Sequence, residues 1–200
     1  VARPVPRAAR DHARRALTRK RLDEAQAAIS AADAKMAAVI ERVGPCTMLP
    51  RREGTHFGHL ARAIVYQQLS GGAAATIHGR FLTALGAEAG HPEPAAVLAA
   101  SDELLRSCGL SVAKLRAIRD LATHVADARL PLDDIESMTD AEIIEALVAV
   151  RGIGPWTAQM FLMFRIGRPD VLPVLDLGVR KGAQRIYRTR ALPDAARLEK

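Results

Sequence analysis

Two hundred residues, 49% of them hydrophobic, suit one compact body or two small subdomains sharing an interface. No stretch approaches the roughly 18 uninterrupted apolar residues of a membrane span, the start lacks the apolar segment of a secretory signal, and two cysteines, Cys46 and Cys108, are too few for a thiolate cluster. These features exclude a membrane partner and read as a cytoplasmic chain with ordinary reduced thiols. The net charge of +7 is concentrated at the start, where residues 1–21 hold eight basic side chains against Asp11, and the rest is balanced apart from a second basic run after Asp176.

Such runs suit neutralisation of phosphates, although an Arg-rich, acid-poor start also fits an organelle transit peptide. Strand signals are nearly absent and apolar residues recur at helical spacing after residue 30, so the fold class is all-α. The spacing predicts helices near 8–18, 31–43, 55–69, 72–86, 94–107 with a break, 111–128, 139–150, 155–167 and 176–188. Residues 1–30 form a basic arm or helix ahead of a folded body, 31–200, that contains a helix-hairpin-helix unit at about 139–167. Thr139 with Glu142 makes a capping box, and Ser101 and Ser111 are well placed as N-caps.

In the helix from Thr55, the apolar face runs through Phe57, Leu60, Ala61, Ile64 and Val65, and at about 100° per residue Gln68 returns to within about 20° of its middle. Either Gln68 is a satisfied core or capping amide, or the helix has left the core and Gln67, Gln68 and Leu69 project from it. Lys114 falls in the first turn of its helix, where the dipole disfavours a cation; contact with a phosphate or a pocket, or simple solvation, would account for it. The histidines show no metal-ligand spacing: His56 and His59 share a helix face but lack a third ligand.

The most specific segment is Leu147-Val-Ala-Val-Arg-Gly152-Ile-Gly154-Pro-Trp156-Thr-Ala-Gln, an amphipathic helix, a Gly-Ile-Gly hairpin and a second helix. Both glycines are expected to take backbone conformations that a side chain would block, turning the amides outward at the positive end of the second helix. Amides around Gly152, Gly154, Trp156 and Thr157 can then hold a DNA phosphate whatever the base. A bare Gly-x-Gly is also a plain tight turn between helices. Trp156, Met160 and Met163 form one stripe of the second helix; Met163 reads as core, Trp156 as pocket lining, and Met160 as either.

Beyond it, Val171-Leu-Pro173-Val-Leu-Asp176-Leu-Gly-Val-Arg180 is a short apolar loop ending in one acid before a helix. Asp176 suits a simple N-cap, but its apolar neighbours also predict a partly desolvated carboxylate, a fixed negative charge able to stabilise a sugar cation.

The sequence resembles the helix-hairpin-helix DNA glycosylase superfamily, and within it the 3-methyladenine DNA glycosylase II branch. The resemblance covers roughly residues 31–190 and rests on Ile64-Val-Tyr-Gln-Gln-Leu-Ser70 with Ala73-Ala-Ala-Thr-Ile77, on Gly109-Leu-Ser-Val-Ala-Lys114, on Gly-Ile-Gly-Pro-Trp-Thr-Ala, and on Leu172-Pro-Val-Leu-Asp176-Leu-Gly-Val-Arg180. It implies two helical subdomains with a lesion pocket between them, Asp176 as the catalytic acid, and Trp156, Met160, Tyr66 and Lys114 around the flipped base. It also implies a duplex-filling wedge at Gln67, Gln68 and Leu69, and a phosphate-binding hairpin whose carbonyls hold a monovalent cation. The expected partner is double-stranded DNA with damaged bases, acted on by a monomer.

The departures from the family also carry information. Bifunctional relatives have a lysine nucleophile where this chain has Trp156, which argues against strand cleavage through a Schiff base. Leu175 stands where relatives often have a second Asp, and Met160 where some carry an aromatic residue. Larger members have a β-rich subdomain and a further aromatic-bearing C-terminal helix without counterparts in these residues. The expected activity is hydrolysis of the N-glycosidic bond of an alkylated, extruded base; the alternative is a non-catalytic DNA-binding module of the same fold.

Overall fold

The computed structural model describes residues 17–87 and 90–199. Every regular element among them is helical. The basic arm before residue 17, with most of the helix expected at 8–18, lies outside the described residues.

Contacts divide the chain into two compact units. The first runs from Arg52 to Phe161. It contains α3 (His56–Tyr66), α4 (Gly71–Ala84), α5 (Pro94–Ala99), α6 (Asp102–Ser107), α7 (Val112–Ala126), a 3₁₀ turn (Ile135–Ser137), α8 (Asp140–Val148) and α9 (Pro155–Phe161). The second, from segments 17–51 and 162–199, contains α1 (Arg19–Ala32), α2 (Ala34–Val43), a π-helical turn (Leu162–Ile166), α10 (Leu177–Tyr187) and α11 (Ala195–Leu198).

In the first unit α7 is the central element, packing against α3, α5 and α6. Leu60 and Ile64 of α3, Phe81 of α4, Ile118 and Leu121 of α7 and Leu147 of α8 are essentially solvent-free. Thr139 and Glu142 form the capping box reciprocally, and Ser101 and Ser111 accept from Leu104 and Lys114 amides. The break in the 94–107 helix falls at Ala100, whose extended backbone separates α5 from α6. Arg119 reaches from α7 to donate to the Val97 and Ala100 carbonyls, capping the end of α5.

His78 on α4 lies beside Tyr66 and Phe81, and its Nε2 is buried with no hydrogen-bond partner. Burial, with a smaller push from the Arg62 guanidinium, lowers its pKa below 6.5. As pH falls through 6.5, the unfolded chain takes up this proton before the folded one, so stability is lost on the acid side. Melting curves at pH 7.5 and 5.5, on scales set by the experiment (about one unit either side of the free value), should show an acid loss that His78→Phe reduces. An equal acid loss in the variant would place the sensitivity elsewhere.

In the second unit Asp33 serves two helices. Its amide closes α1 on the Ile29 carbonyl, while its carboxylate caps α2 through the Lys35 and Met36 amides. Tyr187, the last residue of α10, donates its hydroxyl to Asp33 Oδ2 at 2.5 Å, which holds the Asp33 carboxyl below its usual range and raises the phenol. This bond fixes the far end of the helix that begins at Asp176.

Three expectations change at element ends. α1 is a helix that the apolar spacing does not predict: Leu22 is its one buried residue, so no apolar stripe marks it. α3 stops at Tyr66 instead of running to 69, and the 155–167 helix changes to π-helical turns at Leu162.

Candidate functional site

Between α8 and α9 the chain makes a tight reversal. The Ile153 amide donates to the Val150 carbonyl at 3.1 Å, and the Ile153 side chain is buried. Gly152 has φ +79°, and a Cβ there would lie 3.0 Å from the Ala117 Cβ on α7. Gly154 differs, correcting the expectation for both glycines: its φ is outside the left-handed region, and a Cβ would meet nothing within 4 Å. The first glycine serves the turn itself, whereas the second keeps an open surface clear.

α9 starts at Pro155, where a missing amide costs the helix nothing, and its first intrahelical bond runs from the Ala158 amide to the Gly154 carbonyl at 3.1 Å. The amides ahead of Ala158 therefore point out of the helix start. Thr157 has its side chain buried, which restricts any phosphate contact from this residue to the backbone. Trp156 is 46% exposed, a large indole held at the surface of the first turn. Met160, one turn on, is half-buried, as is Met163, which was expected in the core.

The turn after α3 separates the three residues expected to act together. Gln67 caps α3, and its Nε2 donates to the Gly152 carbonyl at 2.9 Å, so in this arrangement its side chain is turned to the hairpin. Gln68 is exposed with φ 57°, a left-handed conformation that costs a non-glycine residue about 1 kcal/mol. Its exposure overturns the core-amide alternative, because the helix ends two residues earlier. Leu69 follows, 38% exposed.

Tyr66 presents one ring face to the Arg62 guanidinium at 3.9 Å and an edge contact to His78. Lys114 is half-buried: its Nζ donates to the Val65 carbonyl at 2.7 Å, at the negative end of α3, and burial lowers its pKa. The α3 terminus thus accounts for a cation placed against its own helix dipole.

In the second unit Asp176 is the N-cap of α10, with Oδ1 accepting from the Val179 amide at 2.8 Å. A Cβ on Gly178 would lie 2.9 Å from that same oxygen. Asp176 is half-buried, but the leucines beside it in the sequence are not packed away. Leu172, Leu175 and Leu177 are 48%, 64% and 52% exposed.

No group of three or more His, Cys, Asp or Glu among the described residues could hold a metal ion. The monovalent cation implied by the resemblance would rest on hairpin carbonyls. Those of Val150 and Gly152 each accept one hydrogen bond and keep a second lone pair, a neutral oxygen set compatible with such an ion.

Comparisons with known proteins place this arrangement. The HhH-GPD superfamily base excision DNA repair protein description matches residues 61–200. The chain is 30% identical over 173 residues to an alkylbase DNA glycosidase-like protein of Schizosaccharomyces pombe, covering 86% of this chain and 81% of that one. The fold is similar to the 3-methyladenine DNA glycosylase of Schizosaccharomyces pombe in complex with abasic DNA, with TM-score 0.73, 29% identity and coverage of 86% and 84% of the two chains. It is also similar to a DNA-3-methyladenine glycosidase from Bacillus halodurans, with TM-score 0.75, 37% identity and coverage of 85% and 76%. With the hairpin, the open glycine and the capped aspartate in one helical chain, the protein belongs to the HhH-GPD superfamily of base excision DNA repair proteins.

Proposed function

We propose that this chain is a monofunctional DNA glycosylase that hydrolyses the N-glycosidic bond of alkylated bases in duplex DNA, acting as a monomer in the DNA-containing cytoplasm. Asp176 carries the reading: a half-buried carboxylate held at the α10 start in a sequence stretch of exposed leucines, in a family whose relatives bear 3-methyladenine glycosylase names. No helix among the described residues is long and apolar enough to cross a membrane.

The nucleotide must first leave the stack, since its glycosidic bond is inaccessible there. A base alkylated on a ring nitrogen is cationic, so when the C1′–N bond breaks the bonding pair leaves with the base as a neutral molecule. The sugar becomes an oxocarbenium ion, which the Asp176 carboxylate stabilises. Water adds to C1′ and gives its proton to Asp176 and then to solvent, leaving an abasic site. Trp156 offers its exposed indole to the electron-poor base, a preference for charge more than shape. Trp156 occupies the position of a lysine nucleophile, so no strand cleavage accompanies release. The hairpin amides hold a backbone phosphate, and a cation on the Val150 and Gly152 carbonyls would add positive charge beside it.

Measuring free base released from duplexes with single defined lesions tests the proposal. Salt-sensitive duplex binding without release from any alkylated substrate would instead make the chain a non-catalytic DNA-binding module. We infer that Gln68, exposed and left-handed in the turn after α3, fills the gap left by the base. Gln68→Ala should slow single-turnover excision from a stably paired lesion more than from one opposite an abasic site, with an unchanged melting temperature. Equal slowing on both substrates would move the wedge to Leu69.

A further inference from the structure

The turn after α3 and the hairpin between α8 and α9 are joined by a side chain, and the hairpin is gripped from a second side by α7. Gln67 Nε2 donates to the Gly152 carbonyl at 2.9 Å. The preceding amide, that of Arg151, donates to Asp120 Oδ2 at 2.7 Å across 31 residues of sequence. Two successive residues of the reversal are therefore each held by a side chain from another element.

The α7 side of this grip is layered. Ala117, Asp120 and His124 lie three and four residues apart on one helical face. Ala117 sits under Gly152, where an added Cβ would make a tight 3.0 Å contact, and Asp120 takes the Arg151 amide. Behind them the buried His124 approaches Asp120 through Nδ1, 2.9 Å from its carbonyl oxygen and 3.5 Å from its carboxylate. Arg129 Nη1 lies 3.1 Å from His124 Nε2. Arginine has no acceptor, so Nε2 accepts from Arg129 and the ring proton sits on Nδ1, donating toward Asp120. Asp120 is thus an acceptor on both sides, its backbone carbonyl taking the His124 ring proton and its carboxylate taking the Arg151 amide of the hairpin.

We propose that Gln67 and Asp120 are positioning residues that set the hairpin in its phosphate-binding shape before DNA arrives, and that Gln67 is a brace and not part of the wedge. This rests on the reading of the hairpin as a phosphate clamp. Preorganisation of this kind shows in affinity for any duplex, because the phosphate contact is independent of sequence and damage. A wedge would act instead on extrusion of the lesion.

The test measures affinity for an undamaged and a lesion-bearing duplex, and the single-turnover excision rate against enzyme concentration, at a temperature where every variant is folded. Gln67→Ala and Asp120→Ala should each raise the half-saturating concentration about three- to tenfold, alike for both duplexes, with the saturating rate within about twofold of the parent. Asp120→Asn keeps an oxygen that can accept from the Arg151 amide and should restore affinity. A purely structural role would lower the melting temperature without this affinity pattern or its rescue. The proposal is overturned if both alanine variants bind undamaged duplex like the parent, or if Gln67→Ala lowers the saturating rate at unchanged affinity, the behaviour of a wedge. Gly154→Asp is measured alongside: if it too leaves affinity unchanged, the clamp reading fails and takes the brace with it, whereas a defect in Gly154→Asp alone refutes only the brace.

Discussion

Asp176→Asn should lower base release by roughly a thousandfold or more while duplex affinity stays within about threefold. Asparagine is as good an N-cap as aspartate, and its side-chain oxygen can accept from the Val179 amide at the 2.8 Å position, so α10 should start where it does now. What disappears is the charge that balances the sugar cation. Gly178→Ala gives a graded version of the same defect. Its new Cβ would come within 2.9 Å of Asp176 Oδ1, so the carboxylate must swing aside, and about a tenfold loss of rate is expected from misplacement alone. Alanine is the better helix former, and this gain offsets the weakened cap on the Val179 amide, so the melting temperature of Gly178→Ala should change little. Single-turnover excision and a melting curve for each variant check both statements. Near-parental release by Asp176→Asn would remove the residue from the mechanism, and parental rates in Gly178→Ala would show that the carboxylate does not need its present position.

Much of this site is legible in the chain because its parts are local. The hairpin, the Thr139 cap and Asp176 at the head of its helix each depend on residues within a few positions of one another, and each forms as the spacing predicts. What escapes the sequence is what depends on remote partners. Lys114 looks misplaced until the Val65 carbonyl, 49 residues earlier, appears beside it. Gln67 and Gln68 are adjacent and chemically identical, yet a cap conformation at one and a left-handed turn at the other leave the first bonded to the Gly152 carbonyl and the second exposed. α1 escapes for another reason: Leu22 and Ile29 are the only large apolar side chains in the helix, too few to show a period. The leucines around Asp176 show the limit of composition, since an apolar loop can as readily expose its side chains as bury them.

The two hairpin glycines should fail in different ways when replaced. Gly152→Ala places a Cβ 3.0 Å from the Ala117 Cβ in a left-handed backbone, so both sterics and φ oppose it. Neither the buried Ala117 nor the turn can yield easily, and about 1–3 kcal/mol of stability should be lost, visible as a lower melting temperature. Gly154→Asp meets nothing within 4 Å and an unremarkable φ, so the free protein should melt as the parent does. Its carboxylate would project where a phosphate approaches the hairpin amides, combining bulk with like-charge repulsion. Affinity should therefore fall for every duplex, damaged or not, by about tenfold or more at moderate salt. Melting curves of the free proteins and binding isotherms on one undamaged and one lesion-bearing duplex separate the two effects. A defect of Gly154→Asp confined to the lesion duplex would show that the open surface faces the base and not the backbone, and a lowered melting temperature in that variant would place Gly154 in the turn's own architecture.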